Sequence, residues 1–183
     1  MLSHPYEALQ ARTLRAATFG TASTWGLLTL ILVWAVPVDH IARLRGLVEA
    51  TGSARISILE SWGPSVVASV GFLLGFDFLY DVAHNNAVAL FVVWGAVRRG
   101  TRIARSVGAV TAWVLWLDTG LNIFENLAFL HVLRSRNPEV LPVVSAIFSF
   151  RSATLLLGLL VGAALHASVW RASHADRPLS ARW

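Results

Sequence analysis

Two apolar stretches of this chain carry acids and amides where hydrocarbon-facing helices normally carry none. One reads GFDFLYDVAHNNAVAL and holds Asp77, Asp81 and His84 at i, i+4 and i+7, bordered by Tyr80 and Asn85. At about 100° per residue these three fall within a stripe roughly 60° wide on one helix face. The other reads LDTGLNIFENLAFL and repeats the spacing with Asp118, Asn122 and Glu125, with Asn126 alongside. A later stretch, FSFRSATLLLG, adds Arg151. An offset of 41 residues superposes the first two as Asp-x3-[Asp/Asn]-x2-[His/Glu]-Asn.

An ionisable residue inside a bilayer costs about 2.5–3.5 kcal/mol on insertion scales, so Asp77, Asp81, His84, Asp118, Glu125 and Arg151 are expected to face one another. Acid–base chemistry asks least of such a set, because unequal surroundings make one acid a proton donor and its neighbour an acceptor. His84 beside Asp118 and Glu125 beside Arg151 are the pairs expected. Arg151 is expected to neutralise Asp77 or Glu125. Tyr80, Asn85, Asn122 and Asn126 are the candidate substrate-binding residues around them. The same constellation also suits a proton or cation pathway.

Metal chemistry needs more assumptions. Asp81-x2-His84 has the acid–His spacing of di-metal bundles, but the matching pair is Asn122-x2-Glu125, without a second histidine. The chain has no cysteine, so an oxygen-liganded hard cation would suit it better than zinc. No metal site is assigned, and the sequence names no cofactor. Asp77-x3-Asp81 would also suit a magnesium-diphosphate headgroup, except that such headgroups sit at the interface and these residues sit near mid-depth. For the asparagines alone, interhelical hydrogen bonding is an adequate structural role.

The elements that must position these groups are legible from composition. The chain has 183 residues, 56% of them hydrophobic and 14% charged. Soluble domains average about 25% charged residues. Mean hydropathy is +0.62. Four apolar runs, about 16–38, 65–97, 107–133 and 140–169, are long enough to span a bilayer. The expected fold is all-α: a polytopic membrane protein, a four-transmembrane-helix bundle forming a single membrane domain. The first run is too long for a signal-peptide core and is read as an uncleaved anchor. Between Asp39 and Gly63, Ile41, Leu44, Leu47 and Val48 recur at helical spacing, which predicts an interfacial helix between spans one and two. The second run has 33 residues, yet no Pro or Gly lies between Phe76 and Trp94, so an unbroken helix is expected.

All fifteen basic residues are arginines, and most flank the apolar runs. That is a topology signal and not a nucleic-acid surface. With the N-terminus inside, the inner segments hold nine arginines (Arg12, Arg15, Arg98, Arg99, Arg102, Arg105, Arg171, Arg177 and Arg182) and the outer loops five (Arg43, Arg45, Arg55, Arg134 and Arg136). Both termini are therefore expected in the cytoplasm. Trp34, Trp62, Trp94 and Trp170 lie near span ends, as an aromatic belt requires. Gly71-x3-Gly75 and Gly158-x3-Gly162 are close-packing signals, His131 and His166 are read as interfacial, and Trp113 and Trp116 as packing or belt residues.

The set Asp77 and Tyr80, then Asp118, Glu125 and Asn126, then Arg151 early in the last span resembles that of small bacterial four-span membrane proteins of unassigned function. The resemblance covers spans two to four and implies that these residues act together in a bacterial cytoplasmic membrane. It implies no reaction. From the residues themselves, the expected function is a membrane-embedded enzyme performing acid–base chemistry on a lipid or isoprenoid-like apolar substrate. The alternatives are a proton- or cation-conducting or coupled transport protein, or a structural subunit of a membrane complex. Expected partners are the lipid bilayer and an apolar small molecule or lipid, with no nucleic acid. Oligomeric state is not legible.

Overall fold

The computed structural model describes residues 3–175; Arg177 and Arg182, counted above toward the inner side, lie outside the described residues. A 3-10 turn, Pro5–Ala8, precedes α1 (Ala11–Ala35), α2 (Val38–Glu49), α3 (Ser53–Glu60), α4 (Pro64–Arg99), α5 (Arg102–Ser135) and α6 (Leu141–Ala175). Among the described residues there is no strand, and the fold is all-α. Helices α1, α4, α5 and α6 are each long and apolar enough to cross a membrane. The chain is an integral membrane protein built as a four-helix bundle.

Local chemistry sets the helix ends. Pro64 opens α4 at a position where its missing N–H would have had no partner. Gly100 closes α4 in the left-handed conformation (φ 75°), and its N–H reaches the Ala96 carbonyl at 3.1 Å. Thr101 then caps α5 by accepting the Ala104 N–H at 3.2 Å. This two-residue connection forces α4 and α5 antiparallel, which is what sets their polar stripes against each other. α4 runs without interruption through His84, Asn85 and Asn86, as expected.

The segment between spans one and two contains the expected helix, α2, and a second one, α3, because Gly52 turns the chain with φ 55°. One apolar face of each packs on the bundle. Leu47 and Leu59 are fully buried against Val66, Val70, Phe129, Val132, Leu141 and Val144. Ser145 Oγ donates to the Val48 carbonyl at 3.0 Å, and Arg136 donates to the Leu59 carbonyl at 2.7 Å, so both short helices are tied down. Two flanking residues differ from expectation. Trp62 is 4% exposed and belongs to this core and not to a belt, and Arg55 is buried, donating to the Val48 carbonyl.

α4 is the central helix and packs against α1, α5 and α6, while α5 also packs against α6. A second apolar core, Leu14, Val88, Ala89, Leu90, Val92, Val93, Ala112 and Leu115, fills the end near Gly100. Association of helices in lipid depends on close van der Waals fit, and two glycines supply it. A Cβ on Gly108 would lie 2.5 Å from that of Ala96, and one on Gly162 would lie 2.5 Å from the Phe91 ring. Gly158 is also tight, with Val88 at 3.1 Å, whereas Gly71 and Gly75 have nothing within 4 Å. The first of the two expected packing motifs is therefore open, and the second is a true contact. His166 stacks on Phe91 (centroids 4.4 Å, 11°) between α4 and α6, in space left by Gly95.

Candidate functional site

Between the two apolar cores lies a layer of polar side chains drawn from α4, α5 and α6. The i, i+4, i+7 spacing places Asp81 and His84 on the buried face of α4 and Asp118, Asn122 and Glu125 on the buried face of α5. α6 contributes Arg151. Its Nη1 donates to Glu125 Oε2 at 2.6 Å, its Nη2 donates to Asp81 Oδ1, and its Nε lies 3.6 Å from Asp118 Oδ2. One guanidinium thus bridges three carboxylates on two other helices, and its planar fork suits that better than an ammonium would.

Amides organise the rest. Asn85 Nδ2 reaches Asp81 Oδ2 at 3.1 Å, Asp118 Oδ2 at 3.0 Å and Thr119 Oγ1 at 3.0 Å. Asp77 Oδ2 accepts from Asn122 Nδ2 and from Asn126 Nδ2, each at 3.0 Å. Asn126 also donates to Asn122 Oδ1 at 2.6 Å. All six ionisable residues expected to converge do so: each lines a single cavity of about 300 Å³. Tyr80 and Asn126 line it too, whereas Asn85 and Asn122 stand behind the wall and hold the carboxylates. The apolar part of the wall includes Leu73, Leu74, Phe129, Phe148 and Leu155, with Ile41 and Leu44 from α2.

Arg151 pairs with Glu125, as expected, and its guanidinium is also held by Asp81 and Asp118. One pairing differs from expectation. His84 is nearest Asp81, with Nδ1 to Oδ1 at 3.5 Å, and not Asp118, since one turn of the same helix brings Asp81 closer. Asn122 donates to Asp77. Three buried atoms in the cavity wall have no hydrogen-bond partner: His84 Nδ1, Asp118 Oδ1 and Arg151 Nε. Among the described residues, no three His, Asp or Glu side chains converge with metal-ligating geometry.

Sequence reasoning missed several participants. Thr119 was one residue from Asp118 and could have been found by its hydroxyl. Trp25 of α1, whose ring centroid lies 5.7 Å from that of His84, gave no signal, because nothing in a uniformly apolar span says which face it presents. The N-terminal turn was also invisible. His4 and Tyr6 pack on Trp113 and Trp116, Tyr6 donates to Asn86 Oδ1, and Trp113 Nε1 donates to the Ser3 carbonyl at 3.0 Å.

Fold and site together define a class: a polytopic helical membrane protein with a buried, arginine-bridged carboxylate cluster at the centre of its bundle. No protein-family model matches the chain, and comparison with characterised proteins and with solved structures gave no match.

Proposed function

We propose that this protein is a membrane-embedded enzyme that performs acid–base chemistry on a lipid-soluble substrate held in the carboxylate cavity. The observation that carries the reading is the placement of the polar layer between two apolar cores. On one side lies the core of Leu47, Leu59, Val70, Phe129 and Val144, and on the other that of Val88, Val92, Val93, Ala112 and Leu115. A conducting path would need polar groups continuing toward both ends of the bundle. A reaction site needs the opposite: ionisable groups held in a dry, shaped pocket where their interactions are strong.

In this reading Asp118, Glu125 and His84, all on the cavity wall, exchange the proton. Arg151 faces developing negative charge while Asp81 and Glu125 hold it in place. Asn85, Asn122 and Asn126 fix the carboxylates, and Tyr80 forms part of the wall. The arginine distribution and the even number of spans support placing both termini in the cytoplasm, in a bacterial cytoplasmic membrane.

The test is turnover of lipids extracted with the purified protein, followed by mass spectrometry. Glu125→Gln and Asp118→Asn keep shape and hydrogen bonding while removing the capacity to exchange a proton. Loss of product of about a hundredfold or more in either variant supports the proposal. Full turnover in both would overturn it.

A further inference from the structure

The cavity is short of positive charge. Four carboxylates line it, and the one arginine on its wall is ion-paired with three of them. Asp77 receives only the neutral amides of Asn122 and Asn126, and both reach the same oxygen, Oδ2. Amide donors stabilise a carboxylate without cancelling its charge, and an uncompensated buried charge is costly. Asp118, which lines the same cavity, is 1% exposed, and its buried Oδ1 has no partner. Tyr80, Phe129 and Phe148 line the cavity too, and aromatic rings are the walls that suit an alkylated ammonium.

The cavity also has a neighbour. An apolar groove of about 250 Å³ runs between α1, α4 and α6, past Thr18, Phe19, Val88, Phe91 and Leu159. Trp25 stands between the two spaces: it lines the groove and packs 5.7 Å from His84 and 6.5 Å from Tyr80 on the cavity wall. Leu155 in the cavity and Leu159 in the groove are one turn apart on α6. Along α4 the groove runs from Ala87 to Trp94, seven residues or roughly 10 Å.

We propose that the occupant is an ammonium-bearing amphiphile, with its cationic head between Asp77 and Asp118 and its chain in the α1–α4–α6 groove. This rests on reading the cavity as a substrate site and names the chemical class of that substrate. An anionic lipid would meet excess carboxylate, and a bare cation would leave the groove unused.

The test uses the full chain in uncharged maltoside micelles near pH 7. It measures binding of dodecylammonium, dodecanol, dodecanoate and butylammonium by calorimetry and by quenching of tryptophan fluorescence. Dodecylammonium is expected to bind at least about tenfold more tightly than dodecanol, and dodecanoate more weakly than either. Asp77→Asn, an isosteric change whose side-chain oxygen still accepts from both asparagines, should bring the ammonium down to the level of the alcohol. Ala22→Trp fills the groove away from the carboxylates and should remove the advantage of dodecylammonium over butylammonium. Equal affinity for the three dodecyl probes in the wild-type protein overturns the proposal, as does an undiminished ammonium preference in Asp77→Asn; in either case protons fill the charge deficit. Because these readouts are of binding, they separate the two ideas. Selective ammonium binding with turnover intact in Glu125→Gln and Asp118→Asn removes the enzyme and keeps the ligand class, whereas carboxylate-dependent turnover without head-group preference does the reverse.

Discussion

Arg151 on α6 donates to the Glu125 carboxylate on α5 at 2.6 Å, and through this contact the last helix is locked to the polar layer. The same guanidinium also bonds Asp81 on α4, so one side chain joins all three helices of the bundle core. Its consequences for stability are asymmetric.

Removing the arginine leaves three carboxylates in a layer with no other guanidinium. Arg151→Met is expected to destabilise by about 3–5 kcal/mol, whereas Arg151→Met combined with Asp81→Asn and Glu125→Gln costs less than the single change, because a lone buried charge is worse than none. Unfolding in mixed micelles measures both. Equal loss in the two variants would show that the cluster holds the fold by packing alone.

Glycine contacts give a second contrast. Gly162→Ala puts a Cβ 2.5 Å from the Phe91 ring and should cost about 1–3 kcal/mol. Gly71→Ala meets nothing within 4 Å and should stay within about 0.5 kcal/mol of the parent. Thermal unfolding of the two variants side by side checks the difference, and equal sensitivity would contradict the α4–α6 contact at Phe91.

The N-terminal turn should be sensitive to acid. His4 is 2% exposed, its Nε2 has no partner, and burial pushes its imidazole below the ordinary histidine value. The docked state therefore favours neutral His4, while the undocked segment binds a proton below about pH 6.5. Docking is fully stable above that value and weakens as pH falls below it. Hydrogen exchange of the Tyr6–Leu9 amides should accelerate between about pH 6.5 and 5 beyond the change in chemical exchange rate. His4→Phe should abolish that extra acceleration, and its persistence in the variant would clear His4 of the effect.

Topology is a direct readout of the arginine count. A reporter fused at the C-terminus should be cytoplasmic, and one inserted at Gly52, between α2 and α3, should face outward. Placement of both on the same side would refute the span assignment.

How much of this was legible follows from the range of each interaction. Helix periodicity is local, so the 3.6-residue repeat alone put Asp77, Asp81 and His84 on one stripe, and Asp118, Asn122 and Glu125 on another. Span number, the unbroken α4 and the antiparallel meeting of the stripes also followed from run length, missing helix breakers and the short link at Gly100. Partner choice was different. Which acid takes Arg151, whether His84 turns to Asp81 or Asp118, and whether Asp77 meets a cation or two amides depend on helix rotation and depth to within a few ångströms. No spacing in one chain encodes those. The two glycine pairs read identically, yet only Gly158 and Gly162 face a neighbouring helix. Trp62 likewise had the composition of a membrane rim and the location of a core. In a chain this apolar, nearly every face is compatible with lipid, so the hydrophobic pattern that orients helices in soluble proteins carries little information. The contacts that decide rotation are made only on assembly.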